Sequence, residues 1–134
     1  MIHFKPTLSS STESKESMLQ ATNWFKDCCE KHQECSAAIP KSNFVPSRLI
    51  EIRGPDATDL SIRLRDKLSL PKQVSYATLS HCWGHSMPFK LTIENLEACT
   101  ASLPIHRITK VFQDALRFAY QSGIQYIWID SLCR

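Results

Sequence analysis

The 134-residue sequence lacks the segments that would take it into or through a membrane. Met1 to Lys15 has no long apolar core, which excludes a secretory signal at this end. No apolar run approaches the roughly 18 residues that a membrane-spanning helix needs. Charge of one sign is also scarce: 16 Lys and Arg against 13 Asp and Glu leave a net charge of +3. Nucleic-acid binding needs basic residues clustered on one face, and no such cluster stands out. The six cysteines therefore sit in a chain without an export signal, and they are expected as free thiols in the cytoplasm. Apolar and charged fractions of 43% and 22% are ordinary for a globular domain and exclude wholesale disorder.

What is present starts with a polar Ser/Thr-rich stretch, 1–16, read as a mobile tail. From Ser17 to about Cys35 the residues Met18, Ala21, Phe25, Cys28 and His32 recur at helical spacing, with Trp24 and Cys29 beside them. That periodicity predicts an amphipathic helix with one buried stripe. Arg48–Arg53 and Leu60–Arg65 alternate apolar and polar residues, and Gly54-Pro55-Asp56 between them predicts an antiparallel hairpin. Residues 17–72 form a leader of helix and hairpin on this reading.

A third strand is expected at Tyr76–Cys82, in a buried position, and Thr92 is placed to cap a short helix reaching about Cys99. The clearest helix runs from Thr109 to Ser122. Ile108, Val111, Phe112, Ala115, Leu116 and Ala119 share one stripe, and Gly123 supplies the stop. The run Ile124–Ile129 follows as a β-forming segment ended by Asp130. Strand, helix, Gly turn and strand describe a parallel βαβ unit, so the predicted class is α/β with a partial parallel sheet. The last strand lies four residues from the end with no later helix to cover it, so a fragment or shortened gene product is expected.

Parallel strands place their carboxyl ends on one edge, where open α/β sheets bind ligands. Ser80, His81, Cys82, Trp83 and Gly84 follow the first strand, and Asp130, Ser131 and Cys133 follow the second. Arg107 and Lys110 lie at the start of the crossover helix, whose N-terminus favours phosphate or carboxylate. These ten residues are the candidate ligand rim. The plainer alternative is that every βαβ unit has such an edge, and many are empty.

Individual residues also have two readings. Cys82 and Cys133 suggest a reactive pair activated by His81 or His85, but free cysteine is among the most buried residue types and core packing is favoured. Cys28, His32 and Cys35 sit at i, i+4 and i+7, as metal ligands can. No fourth ligand is evident, so a helix stripe buried on the sheet is preferred and no metal is expected. Asp130 is read as a cap on the amides of Leu132 or Cys133, with a functional carboxylate as the alternative. Trp83 and Trp128 are read as core anchors, and Gly84 as a turn residue with positive φ.

The run Tyr76-Ala77-Thr78-Leu79-Ser80-His81-Cys82-Trp83-Gly84 resembles the opening motif of the fungal heterokaryon-incompatibility (HET) domain. Ile108 to Leu116, and then Gly123 to Cys133 with Tyr126-Ile127-Trp128-Ile129-Asp130-Ser131-Leu132-Cys133, resemble its second block. Thr109 and Val111 stand where the family has Pro and Thr, which alters the helix start and leaves the core face alone. The Trp24, Cys28, His32, Cys35 helix and the strand near Pro46 are similar to the leader that commonly precedes this domain. The family pattern continues past Ser-Leu-Cys, whereas here Arg134 is last, so 73–134 corresponds to the N-terminal part of the domain.

The resemblance implies a fold distantly similar to the Toll/interleukin-1-receptor domain. It also implies a role in fungal non-self recognition and regulated cell death, by assembly or as an effector. Expected partners are other incompatibility proteins or further copies of the chain, with no nucleic acid and no membrane. No resident cofactor is expected. The enzymatic alternative is a hydrolase processing NAD or another nucleotide, and the remaining alternative is an inactive remnant.

Overall fold

The computed structural model describes residues 10–37, 44–82 and 89–134, and the chain divides into two units, Met1–Lys41 and Ser42–Arg134. In the first unit Ser14 caps helix α1 (Lys15–Lys31), its hydroxyl accepting from the Ser17 N–H at 3.1 Å. The serine satisfies an amide that the helix start would leave orphaned. Helix α2 (Gln33–Ala37) follows after the single residue His32. The expected continuous helix is therefore broken. Within this unit no residue of α1 or α2 is buried, and Trp24 is 66% exposed.

The second unit holds strands β1 (Arg48–Arg53), β2 (Ser61–Asp66) and β3 (Tyr76–Leu79), helices α3 (Leu96–Ala101) and α4 (Lys110–Gln121), strand β4 (Tyr126–Ile129) and the single turn α5 (Asp130–Cys133). The four strands form one sheet in the order β2-β1-β4-β3. β3 and β4 are parallel, as the βαβ pattern predicts, while β1 is antiparallel to both β2 and β4. The class is α/β, with a mixed sheet rather than a purely parallel one.

Alternation decides which side chains meet. The register Ile50 opposite Ile127 and Ala77 opposite Ile127 puts Ile50, Ile52, Ile62, Leu64, Ala77, Leu79, Ile127 and Ile129 on one face. Phe112, Leu116 and Ala119 of α4 join that face in the main core, with Cys99, Leu103, Leu132 and Cys133. The reverse face carries Leu49 and Tyr126, packed with Val45, Leu70, Val74, Tyr76 and Trp128. Leu103 also donates its N–H to Ile62 at 2.8 Å, which closes part of the outer edge of β2.

Several local expectations change. β3 ends at Leu79 and is a partly exposed edge strand, not a buried one, because β4 occupies the position between it and the hairpin. Val111 is 54% exposed, so the α4 stripe is narrower than its apolar pattern. Thr92 does not cap α3 itself. It exchanges bonds with Asn95, donating its N–H to Oδ1 at 2.7 Å and accepting the Asn95 N–H at 3.3 Å. Thr109 caps α4 through the Phe112 N–H at 3.4 Å. Its other end closes on Gly123 (φ +79°), where Gly123 donates to Tyr120 and Ile124 donates to Ala119.

Candidate functional site

Leu79 lies opposite Ile129 in the parallel register, so the segments beginning at Ser80 and Asp130 leave the sheet side by side. His81 turns toward α4 and meets the Phe112 ring edge-on, with centroids 4.6 Å apart. From the other side Leu91 donates its N–H to the Ser131 carbonyl at 2.9 Å. Arg107 stacks its guanidinium over the Phe89 ring at 5.1 Å. The edge thus gathers Ser80, His81, Asp130 and Ser131 with the residues before α4. Trp83 and Gly84, and His85 with them, lie outside the described residues.

The chemistry of these groups differs from one to the next. Lys110 is exposed and pairs with Asp114 at 3.0 Å. Asp130 does not cap the turn after β4. It sits in the first turn of α5, Ile129 occupies the cap position, and the Asp130 carboxylate pairs with Arg134 at 3.4 Å. Ser131 is buried, and its hydroxyl has no hydrogen-bond partner among the described residues.

The two thiols of the rim do not form a pair. Cys133 is buried, receives the Ile129 N–H at 3.5 Å and faces the Ile127 carbonyl at 3.9 Å. Burial pushes its pKa up to about 11, against the smaller opposing effects of backbone bonds from Ile129 and Ile50 and of the Arg48 charge. A thiol so protonated at neutral pH is core, as expected. Cys82 departs from that expectation and is exposed, because the strand ends before reaching it.

In the first unit the break at His32 gathers a second group. The ligand atoms of Cys28, His32 and Cys35 all lie within 4.8 Å of one another. Cys28 is partly exposed and the other two are exposed. Its thiol pKa is raised, first by the hydrogen bond with Cys35, then by desolvation and by the neighbouring charges of Cys35 and Cys29.

Residues 76–133, a little under half of the chain, match the family model described as Heterokaryon incompatibility protein (HET). The likeness to that family is confined to this segment. No curated protein matches the chain, and no solved structure does. The HET segment begins with β3 and ends with α5, so it contains the whole parallel unit and both sides of the rim.

Upstream of the HET segment, β1 and β2 supply a charged cluster that inspection of the sequence did not single out. Glu51 is 1% exposed and carries three arginines: Arg63, whose Nε lies 3.0 Å away, with Arg53 and Arg65. Burial alone would raise its pKa. The hydrogen bond from Arg63 and the charges of Arg65, Arg63 and Arg53 outweigh it and hold the carboxyl below its ordinary value. The sequence did carry a signal: Glu51 faces Arg63 once the hairpin register is set, with Arg65 and Arg53 two residues away on the same face. Among the described residues no helix is long and apolar enough to cross a membrane.

Proposed function

We propose that the protein is a heterokaryon-incompatibility module of fungal non-self recognition, acting in the cytoplasm as an assembly or effector component of regulated cell death. The observation that carries the reading is the HET-family match over 76–133, whose two motif blocks lead to the same edge of the sheet. The segments that leave the sheet at that edge carry a buried hydroxyl, a carboxylate and an exposed thiol, groups that would suit recognition of a partner chain or an anionic ligand. Its partners on this reading are other incompatibility proteins or further copies of the chain.

The test is induced expression of the 134-residue chain in a filamentous fungal host, with hyphal growth and vital-dye exclusion as readouts. Growth arrest with dye uptake is expected. Normal growth at a level that yields folded protein would remove the reading. The purified chain is also incubated with NAD, which an assembly module leaves intact. Cleavage of NAD would instead favour a nucleotide hydrolase.

A further inference from the structure

Within α1 and α2 nothing packs over Cys28, His32 and Cys35: no residue of either helix is buried. The cysteines are also free thiols, so no disulfide accounts for them. What the chain does at this point is turn a corner. His32 leaves helical geometry, at φ −96° and ψ 99°, and α2 restarts at the very next residue. The corner is tied from both sides: Ser36 donates its N–H to the His32 carbonyl at 3.1 Å and its hydroxyl to the Cys29 carbonyl at 3.3 Å.

We propose that Cys28, His32 and Cys35 form a three-ligand Zn²⁺ site, with the fourth position open to water. The inference is independent of the rim and of the HET segment. Two thiolates and an imidazole are the donor set that a borderline-soft d¹⁰ ion prefers. A tetrahedral ion, with bonds of about 2.3 Å to sulfur and about 2.0–2.1 Å to nitrogen, holds its ligand atoms roughly 3.5–3.8 Å apart. Cys35 Sγ and His32 Nδ1 are 4.0 Å apart, and no pair in the trio exceeds 4.8 Å. Closure therefore needs side-chain movements of about 1 Å or less, which exposed rotamers accommodate. Binding releases the two thiol protons, so the occupied site is neutral at the metal and its three ligands.

The reduced, metal-free 134-residue protein is titrated with Zn²⁺ against a chromogenic chelator, and separately with Co²⁺. One equivalent of Zn²⁺ is expected, and Co²⁺ should give thiolate-to-metal charge-transfer absorption in the near ultraviolet. Zn²⁺ should protect Cys28 and Cys35 from alkylation, read by mass spectrometry, and leave Cys82 reactive. Changes beyond the first ligands commonly weaken metal sites by roughly 10- to 100-fold, so Cys28→Ser, His32→Ala and Cys35→Ser should each cost at least about tenfold. Cys29→Ser should bind as the parent does. Because α1 and α2 bury none of these side chains, unchanged far-ultraviolet circular dichroism is expected in every variant. Equal alkylation with and without Zn²⁺, absent charge transfer, or binding that survives Cys28→Ser with Cys35→Ser would each overturn the site.

Discussion

His81 presents its imidazole edge-on to Phe112, with the two ring planes at 83°. The contact ties the chain just past β3 to the first turn of α4, so the two HET motif blocks meet through a side chain as well as through strand pairing. Phe112 is fully buried, and His81 covers part of what it would otherwise show to water. His81→Ala should lower the stability of the domain by about 0.5–1.5 kcal/mol, the usual range for such pairs. His81→Phe, which keeps a ring edge, should recover most of it. Denaturant midpoints measure both. An unchanged midpoint in His81→Ala would show that the pair contributes no packing energy.

Glu51 gives the fold an acid limit. Its folded pKa lies below the ordinary carboxyl value, so its stabilising contribution is present above about pH 4.3 and disappears as pH falls through the folded value. Cys133 gives an alkaline limit by the opposite shift, from 9.0 to about 11. The folded state then keeps a proton that the unfolded state loses, and stability falls between about pH 9 and 11. Glu51→Gln should cost about 1–3 kcal/mol at pH 7 and flatten the acid limb of a stability–pH curve. An acid limb of the same depth in Glu51→Gln would contradict this assignment.

The cysteines should separate by reactivity. Cys99 and Cys133 are buried, and desolvation raises the pKa of both. Cys29, Cys35 and Cys82 are exposed. Brief alkylation of the native, metal-free protein should label these three, with Cys99 and Cys133 reacting only after unfolding. Peptide mass spectrometry reads the order directly. Fast native labelling of Cys133 would place it outside the core.

The elements legible in the sequence were those with a clear period or an explicit stop. Alternation located β1 and β2, Gly123 closed α4, and the strand–helix–Gly turn–strand pattern located the parallel pair. Features set by the rest of the fold were not legible. Nothing in Tyr76–Leu79 shows that β4 lies between it and the hairpin, which makes β3 an edge. Val111 is as apolar as its neighbours, and only helix phase against the sheet leaves it in water. The break at His32 was hidden because Gln33–Ala37 resumes the helix at once. Asp130 resembled a turn cap, but the strand passes straight into α5 and leaves its carboxylate to Arg134.

Two glycines should fail for different reasons. Gly123 has open space around a would-be Cβ, so Gly123→Ala meets only the cost of φ +79°, about 1–2 kcal/mol. At Gly54 a Cβ would lie 2.3 Å from the Asp59 carbonyl oxygen, so the hairpin loop itself must shift. Gly54→Ala should therefore destabilise more than Gly123→Ala. Equal losses in thermal melts would mean that the loop yields freely.

Ser131 and Asp130 together test whether the rim has a function apart from the fold. The Ser131 hydroxyl is buried with no partner among the described residues, so Ser131→Ala breaks no hydrogen bond to them and should be neutral or mildly stabilising. Asp130 pairs with an exposed Arg134, so Asp130→Asn should change stability by less than about 1 kcal/mol. Neither variant has a structural reason to lose activity. Leu116→Ala is the control: it opens a cavity beside a fully buried side chain and should cost about 2–5 kcal/mol. All three are expressed in the fungal host, with growth arrest scored against the amount of folded protein. If the rim binds a partner or ligand, Ser131→Ala and Asp130→Asn should lose arrest while melting as the parent does, and Leu116→Ala should lose both together. Should the two rim variants arrest growth as fully as the parent, the rim is a signature of the fold and its proposed role fails.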